Sequence, residues 1–268
     1  MLQTLVLYLG FGCLAGLLSG LFGIGGGIVI VPFLMWQLAR EGFPGDLIPI
    51  TAIATSLATI VVTSISSVYA HHRRGAVRWP LAMRIAPGIL AGTVLGSVLA
   101  DHLPVIVLKL SFALFLLAVA TRMLVTNDGG AVPPWRLGVL RMTVAGAAIG
   151  MLSAIVGIGG GTLSVPLFAR LGFNMREAVA TSSACGFPIA VAGSASYILL
   201  GWQQPALPAG SLGYVYLPAL AGIVVSSVLL APLGARLAHR LPTGHLKKLF
   251  ALAILVIGGR MLWLALSA

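Results

Sequence analysis

Apolar residues run through this chain in long blocks separated by short polar or glycine-rich joints, with none of the period-two alternation of a half-exposed sheet. Blocks at 2–22, 47–70, 81–100, 103–125, 137–156, 178–200, 213–235 and 246–266 are each long enough to cross a hydrocarbon layer as a helix, which takes about 20 residues at about 1.5 Å each. Two further pieces, 28–38 and 162–171, are apolar but too short to span. Each follows a glycine cluster that breaks what would otherwise be continuous apolar sequence. The pattern predicts an all-α integral membrane protein.

The glycine cluster occurs twice. Gly16 to Gly27 reads Gly-Leu-Leu-Ser-Gly-Leu-Phe-Gly-Ile-Gly-Gly-Gly, and Gly150 to Gly161 repeats it with few changes. Val31-Pro32 likewise returns as Val165-Pro166, and the offset of 134 positions is half of the 268 residues. Ala54-Thr55-Ser56 matches Ala180-Thr181-Ser182, Leu103-Pro104 matches Leu241-Pro242, and Arg122-Met123-Leu124 matches Arg260-Met261-Leu262. The chain therefore divides into a first transmembrane repeat, 1–126, a linker at 127–135 rich in Gly and Pro, and a second repeat, 136–268. Each repeat holds about five hydrophobic segments.

Composition and charge fix the solvent and the orientation. Hydrophobic residues make up 59% of the chain and charged residues 8%, where a soluble surface needs roughly 25% charged. The net charge of +11 resides between apolar blocks, as topology determinants and lipid-headgroup contacts do, so nucleic acid is not an expected partner. The joint 71–80 carries Arg73, Arg74 and Arg78, whereas its counterpart 201–211 carries no charge; the break at 101–104 lacks Lys and Arg, whereas its counterpart carries Arg236, Arg240, Lys247 and Lys248. Equivalent joints with opposite bias predict two repeats of inverted topology, each with a glycine-rich broken helix or re-entrant hairpin. The N-terminus has no basic leader and its first block has a counterpart deep in the chain, so it reads as a retained span. A location in a membrane, crossed several times, follows.

Irregular backbone at membrane depth must line a cavity or pack in protein, and a helix beginning there aims unsatisfied N–H groups at whatever lies in front of it. Paired broken helices in inverted repeats are where secondary transporters hold substrate. The candidate binding residues are accordingly Gly23, Gly25, Gly26 and Gly27 with Ser19 one turn before them, and Gly157, Gly159, Gly160 and Gly161 with Ser153. Thr51, Thr55, Thr59 and Thr63 share one helix face. Of these hydroxyls Thr55-Ser56, repeated as Thr181-Ser182 beside Ser183, are site candidates, while Thr59 and Thr63 are expected to bond back to their own helix. Arg84, Arg141 and Arg236 lie near span ends and are expected to snorkel. All five acids, Glu41, Asp46, Asp101, Asp128 and Glu177, fall at joints or span ends, which points away from a cation relay built on buried carboxylates. Cys13 and Cys185 form neither a disulfide framework nor a metal spacing, and Cys185 reads as a small buried apolar side chain. With no catalytic triad or carboxylate pair, no enzyme, cofactor or metal is expected.

The doubled motif Gly16 to Gly27 and Gly150 to Gly161, each with its Val-Pro, resembles the sulfite exporter TauE/SafE family of membrane permeases, and the likeness extends over nearly the whole chain. One departure is Ala154 where the first copy has Gly20. The resemblance implies a bacterial inner-membrane transporter of sulfite, an organosulfonate or a related sulfur oxyanion. Alternating access is the expected mechanism, with a passive anion channel or a carrier of a non-sulfur organic anion as the competing readings. The expected partners are a small anionic substrate, membrane lipid, a coupling ion such as a proton, and a second copy of the chain in a homodimer.

Overall fold

The computed structural model describes residues 2–22, 26–125, 138–238 and 243–266. Among these are ten α-helices: α1 Leu2–Phe22, α2 Gly27–Arg40, α3 Ile48–His72, α4 Trp79–His102, α5 Val105–Val125, α6 Val139–Val156, α7 Gly161–Arg170, α8 Met175–Leu200, α9 Leu217–Ala238 and α10 Thr243–Leu266. Seven of them are long and apolar enough to cross a membrane, so the chain is an all-α, multi-pass membrane protein. The linker expected at 127–135, Gly23 to Gly25 and the Leu241-Pro242 copy lie outside the described residues.

Local chemistry sets the helix ends. Proline stands in the first turn of α3 and α4, where the missing N–H costs no bond. At α8, Asn174 accepts from the Glu177 N–H at 2.9 Å while Glu177 accepts from the Asn174 N–H, a reciprocal cap. One block is shorter as a helix than its hydrophobicity suggests. Residues 213–216, expected to open the span 213–235, belong instead to a hairpin in which Ser211–Leu212 pairs antiparallel with Val215–Tyr216. Gly213 sits at φ +53° and Gly210 at φ +89°, backbone that turns the chain before a helix can start.

The two halves interlock. α1 packs most extensively on α9 and α6 on α4; α3 crosses α8 and α5 crosses α10; α4 lies on α8 and α9 on α3. Exchanging α1–α5 for α6–α10 in order turns each of these pairs into itself or into another of them. The α4–α6 contact is close because glycines admit backbone: a Cβ on Gly92 would collide with the Ala147 carbonyl, and one on Gly96 would lie 2.5 Å from that of Met151.

The helices α1 and α2 lie side by side. Tyr8, in the first half of α1, donates to Glu41 just beyond α2 at 2.7 Å, and Phe11 stacks on Phe33 with ring centres 3.7 Å apart. α2 therefore returns beside α1. At about 21 Å for α2 and 15 Å for α7, neither half-helix crosses a layer about 30 Å thick. The hairpin dips into the bundle from the same face as Glu41: Val215 is buried, Tyr216 meets Phe43 edge-on at 4.9 Å, and the Tyr216 N–H reaches Thr55. Burial, reinforced by a hydrogen bond to Asp101, pushes the Tyr214 phenol in this hairpin up to about 12. On the opposite face Arg78, just before α4, pairs with Glu177 at the start of α8.

Candidate functional site

Both half-helices begin in the same way. Gly26 (φ 77°, ψ −12°) precedes α2 and Gly160 (φ 73°, ψ −11°) precedes α7, each in the left-handed region and neither capped by a side chain. Each glycine carbonyl accepts the first bonds of its helix, Gly26 from Val29 and Ile30, Gly160 from Leu163 and Ser164. Six residues into each helix, Pro32 and Pro166 remove one more backbone donor. The N–H groups of Gly159, Gly160, Gly161 and Thr162 find no acceptor among the described residues. They are the open donors of a helix start.

The loops touch. A Cβ on Gly27 would lie 2.5 Å from the Gly157 carbonyl and 2.9 Å from Ile158 Cα. Gly157 ends α6 at φ 76°, and its carbonyl accepts from Ser56 of α3 at 2.8 Å. Gly26, Gly27, Gly157, Gly159, Gly160 and Gly161 are all buried at this meeting point. Gly23 and Gly25 lie outside the described residues.

Beside the loops runs a narrow gap between α3 and α8, lined by Ser19, Ile60, Ser64, Ser67, Gly159, Ser183 and Gly186. It is so narrow that a water-sized sphere fits only in a small part of it. Among the described residues the lining is serine hydroxyl, glycine backbone and the Ile60 side chain, with no charged group. Ser67 and Ser183 face each other across it at 3.5 Å.

The candidate hydroxyls separate into two groups. Ser19 lines the gap, and Ser153 is fully buried with no partner for its Oγ among the described residues. Thr55 and Thr181 do other work. Thr55 Oγ1 accepts the Tyr216 N–H at 2.9 Å and Thr181 Oγ1 accepts the Arg78 N–H at 3.0 Å, so each ties its half to the backbone entering the next helix of the other half. Ser56 holds the second glycine loop, and Ser182 bonds Ser164 at 2.7 Å. Thr59 and Thr63 donate to carbonyls of their own helix, as expected. Arg84, Arg141 and Arg236 are exposed, and Cys185 is buried.

Ser64, Ser67 and Gly186 were not among the candidates. Repetition could not reveal the two serines, because the equivalent positions in the second half are Ala190 and Gly193. The spacing Ile60, Ser64, Ser67 is nevertheless one helix face, and a face analysis of α3 would have found them. The mismatch has a structural consequence. The α3–α8 crossing has Ser67 against Ser183 on the side toward Arg78, while at the equivalent place toward the hairpin a Cβ on Gly193 would lie 2.7 Å from Leu57 Cδ1. One end of the crossing is polar; the other is sealed by leucine on glycine.

The description of the sulfite exporter TauE/SafE family matches residues 8–261. A protein of Haemophilus influenzae named probable membrane transporter protein is 38% identical over 97% of this chain and 99% of its own. Relatives likewise named probable membrane transporter protein occur in Methanocaldococcus jannaschii, 26% identical over 98% of this chain and 96% of its own, and in Bacillus subtilis (YunE), 25% identical over 97% and 98%. No solved structure matches the chain. A multi-pass helical bundle, two glycine-started half-helices and a match of this extent lead to one assignment: the chain belongs to the sulfite exporter TauE/SafE family and is a membrane transporter, not an enzyme.

Proposed function

We propose that this transporter is a secondary carrier of a small anion, a sulfur oxyanion such as sulfite or an organosulfonate, working by alternating access across the cytoplasmic membrane. The observation that carries the reading is the α3–α8 gap. It is lined by hydroxyls and by the loop before a broken helix, and it holds no charged side chain. Neutral hydroxyl donors and a helix start suit an anion, and the lining offers a cation no carboxylate.

Two repeats of inverted topology account for the packing, because the principal helix pairs survive exchange of the halves. The charge distribution supports the same orientation. The connections 41–47, 103–104 and 201–216 contain neither Lys nor Arg, whereas those after α3, α7 and α9 carry or adjoin Arg73, Arg74, Arg78, Arg170, Arg176, Arg236, Lys247 and Lys248. The basic face is then cytoplasmic. The serine-lined end of the crossing faces it, and the Leu57–Gly193 seal faces outward. In alternating access these two ends exchange roles as the halves rock.

The test is uptake of labelled sulfite, a sulfonate, sulfate and a carboxylate into proteoliposomes under imposed pH and voltage gradients. Saturable flux of a sulfur oxyanion is expected, and its response to the pH gradient reports proton coupling. Folded protein that moves none of these anions refutes the reading; currents at channel rates would replace the carrier by a pore.

A further inference from the structure

The two half-helix starts share a backbone conformation at Gly26 and Gly160 but not a chemistry. In the second, Thr162 stands two residues after Gly160 and Ser164 four residues after, with Ser153 behind them in α6. At the same offset of 134, the first loop has Ile28 and Ile30, each 1% exposed. At the start of α2 the nearest groups are backbone and apolar, with no hydroxyl among them: the Ala15 carbonyl and methyl against Gly26, the Gly157 carbonyl and Ile158 against Gly27. The start of α7 has hydroxyls beside the Ile149 and Ile189 side chains: Thr162 and Ser164 belong to it, and Ser153 stands near Gly160.

Two of those hydroxyls have no partner. Ser153 is 0% exposed, and its Oγ lies 3.5 Å from where a Cβ on Gly160 would stand, at the mouth of α7. Thr162 Oγ1, in the first turn of α7, is likewise buried and unpartnered among the described residues. A buried hydroxyl without a bond is costly, and here two occur beside four open backbone N–H groups. Ser164 differs: it donates to the Gly160 carbonyl at 2.9 Å and fixes the turn.

We infer that the anion, reaching Gly159 through the gap, is held at the start of α7 rather than at the start of α2, by Ser153, Thr162 and the N–H groups there, and that it is taken as a monoanion. This rests on the anion-carrier reading. The positive field available is that of one helix start, roughly half an elementary charge, with neutral hydroxyls and no cationic side chain in the lining. The cost of bringing an ion out of water rises with the square of its charge, whereas its attraction to fixed dipoles rises only in proportion. Doubling the charge quadruples the cost and doubles the return. The class that fits is a univalent oxyanion, a sulfonate or hydrogensulfite, and the class excluded is a dianion such as sulfate or fully ionised sulfite.

The experiment is binding to the purified full chain, by calorimetry and ligand-induced thermal shift, of methanesulfonate and of sulfate at matched ionic strength. Methanesulfonate is expected to bind at least tenfold more tightly. With sulfite, affinity at fixed total concentration should fall as pH rises through its second ionisation, while methanesulfonate shows no such trend. Ser153→Ala and Thr162→Val should each weaken methanesulfonate binding about tenfold, the loss of a hydrogen bond to a charged group, and Thr162→Ser should restore it. Sulfate binding as tightly as methanesulfonate overturns the charge assignment. Wild-type affinity in the Thr162→Val variant, which preserves shape, overturns the placement at α7. Binding of no anion by folded protein overturns the anion reading itself, and with it this inference.

Discussion

Gly157 is the point at which α2, α3 and the second loop press on one backbone position, and Gly157→Ala measures how tightly they do so. The residue adopts φ +76°, which costs an L side chain about 1–2 kcal/mol. A Cβ there would also lie 2.9 Å from Ile53 Cα and 2.9 Å from Val31 Cγ2, against about 3.5–4.0 Å for relaxed carbon contact. Overpacking of that kind adds about 1–3 kcal/mol, so the whole effect is about 2–5 kcal/mol. Gly42 provides the control: its φ is +80° and nothing lies within 4 Å of a Cβ built on it, so Gly42→Ala carries the backbone cost alone. The difference between the two variants, read by equilibrium unfolding in mixed detergent micelles, isolates the steric part. Val31→Ala in the Gly157→Ala background should recover a portion of it, and that coupling is read by a double-mutant cycle. If Gly157→Ala costs no more than Gly42→Ala, the loops do not meet as described, and Ser56 cannot be bonded to the Gly157 carbonyl either.

The remaining predictions concern the ends of the pathway and its orientation. Leu57 is fully buried, so Leu57→Ala should cost about 2–5 kcal/mol and, by opening the seal at Gly193, make a cysteine introduced at Gly193 reactive to a thiol reagent from the side of the hairpin; an unreactive thiol would place the seal elsewhere. Glu177→Gln removes the ion pair with Arg78, whose side chain is 54% exposed, so stability should fall by no more than about 1 kcal/mol, measured as an apparent melting shift; a larger loss would make the pair a structural keystone. In a background lacking Cys13 and Cys185, cysteines placed at Arg74 and Gln203 should label from opposite sides of the membrane, and labelling from one side would refute the inverted arrangement.

Most of the fold was legible because lipid leaves few choices. A run such as 47–70 must satisfy its backbone internally, and α3 covers Ile48–His72. The hairpin at 211–216 was not legible, because Tyr214 and Val215 are as apolar as a span and the turn at Gly213 gives a weak signal beside them. The site was legible only in its repeated part. Duplication drew attention to residues that occur twice, and Thr55 and Thr181 do occur twice, but as matched ties holding each half to the other's backbone. A contact that builds the symmetric frame must be repeated, since both halves need it. A residue that holds one substrate at one place has no such constraint. Ser67, Thr162 and Ser183 stand opposite Gly193, Ile28 and Leu57 in the other copy, and these mismatched positions lie at the gap and at the start of α7. In this duplicated chain, repetition therefore identifies the scaffold together with Ser19 and Ser153, and the places where the copies disagree in polarity are where the remaining substrate contacts are expected.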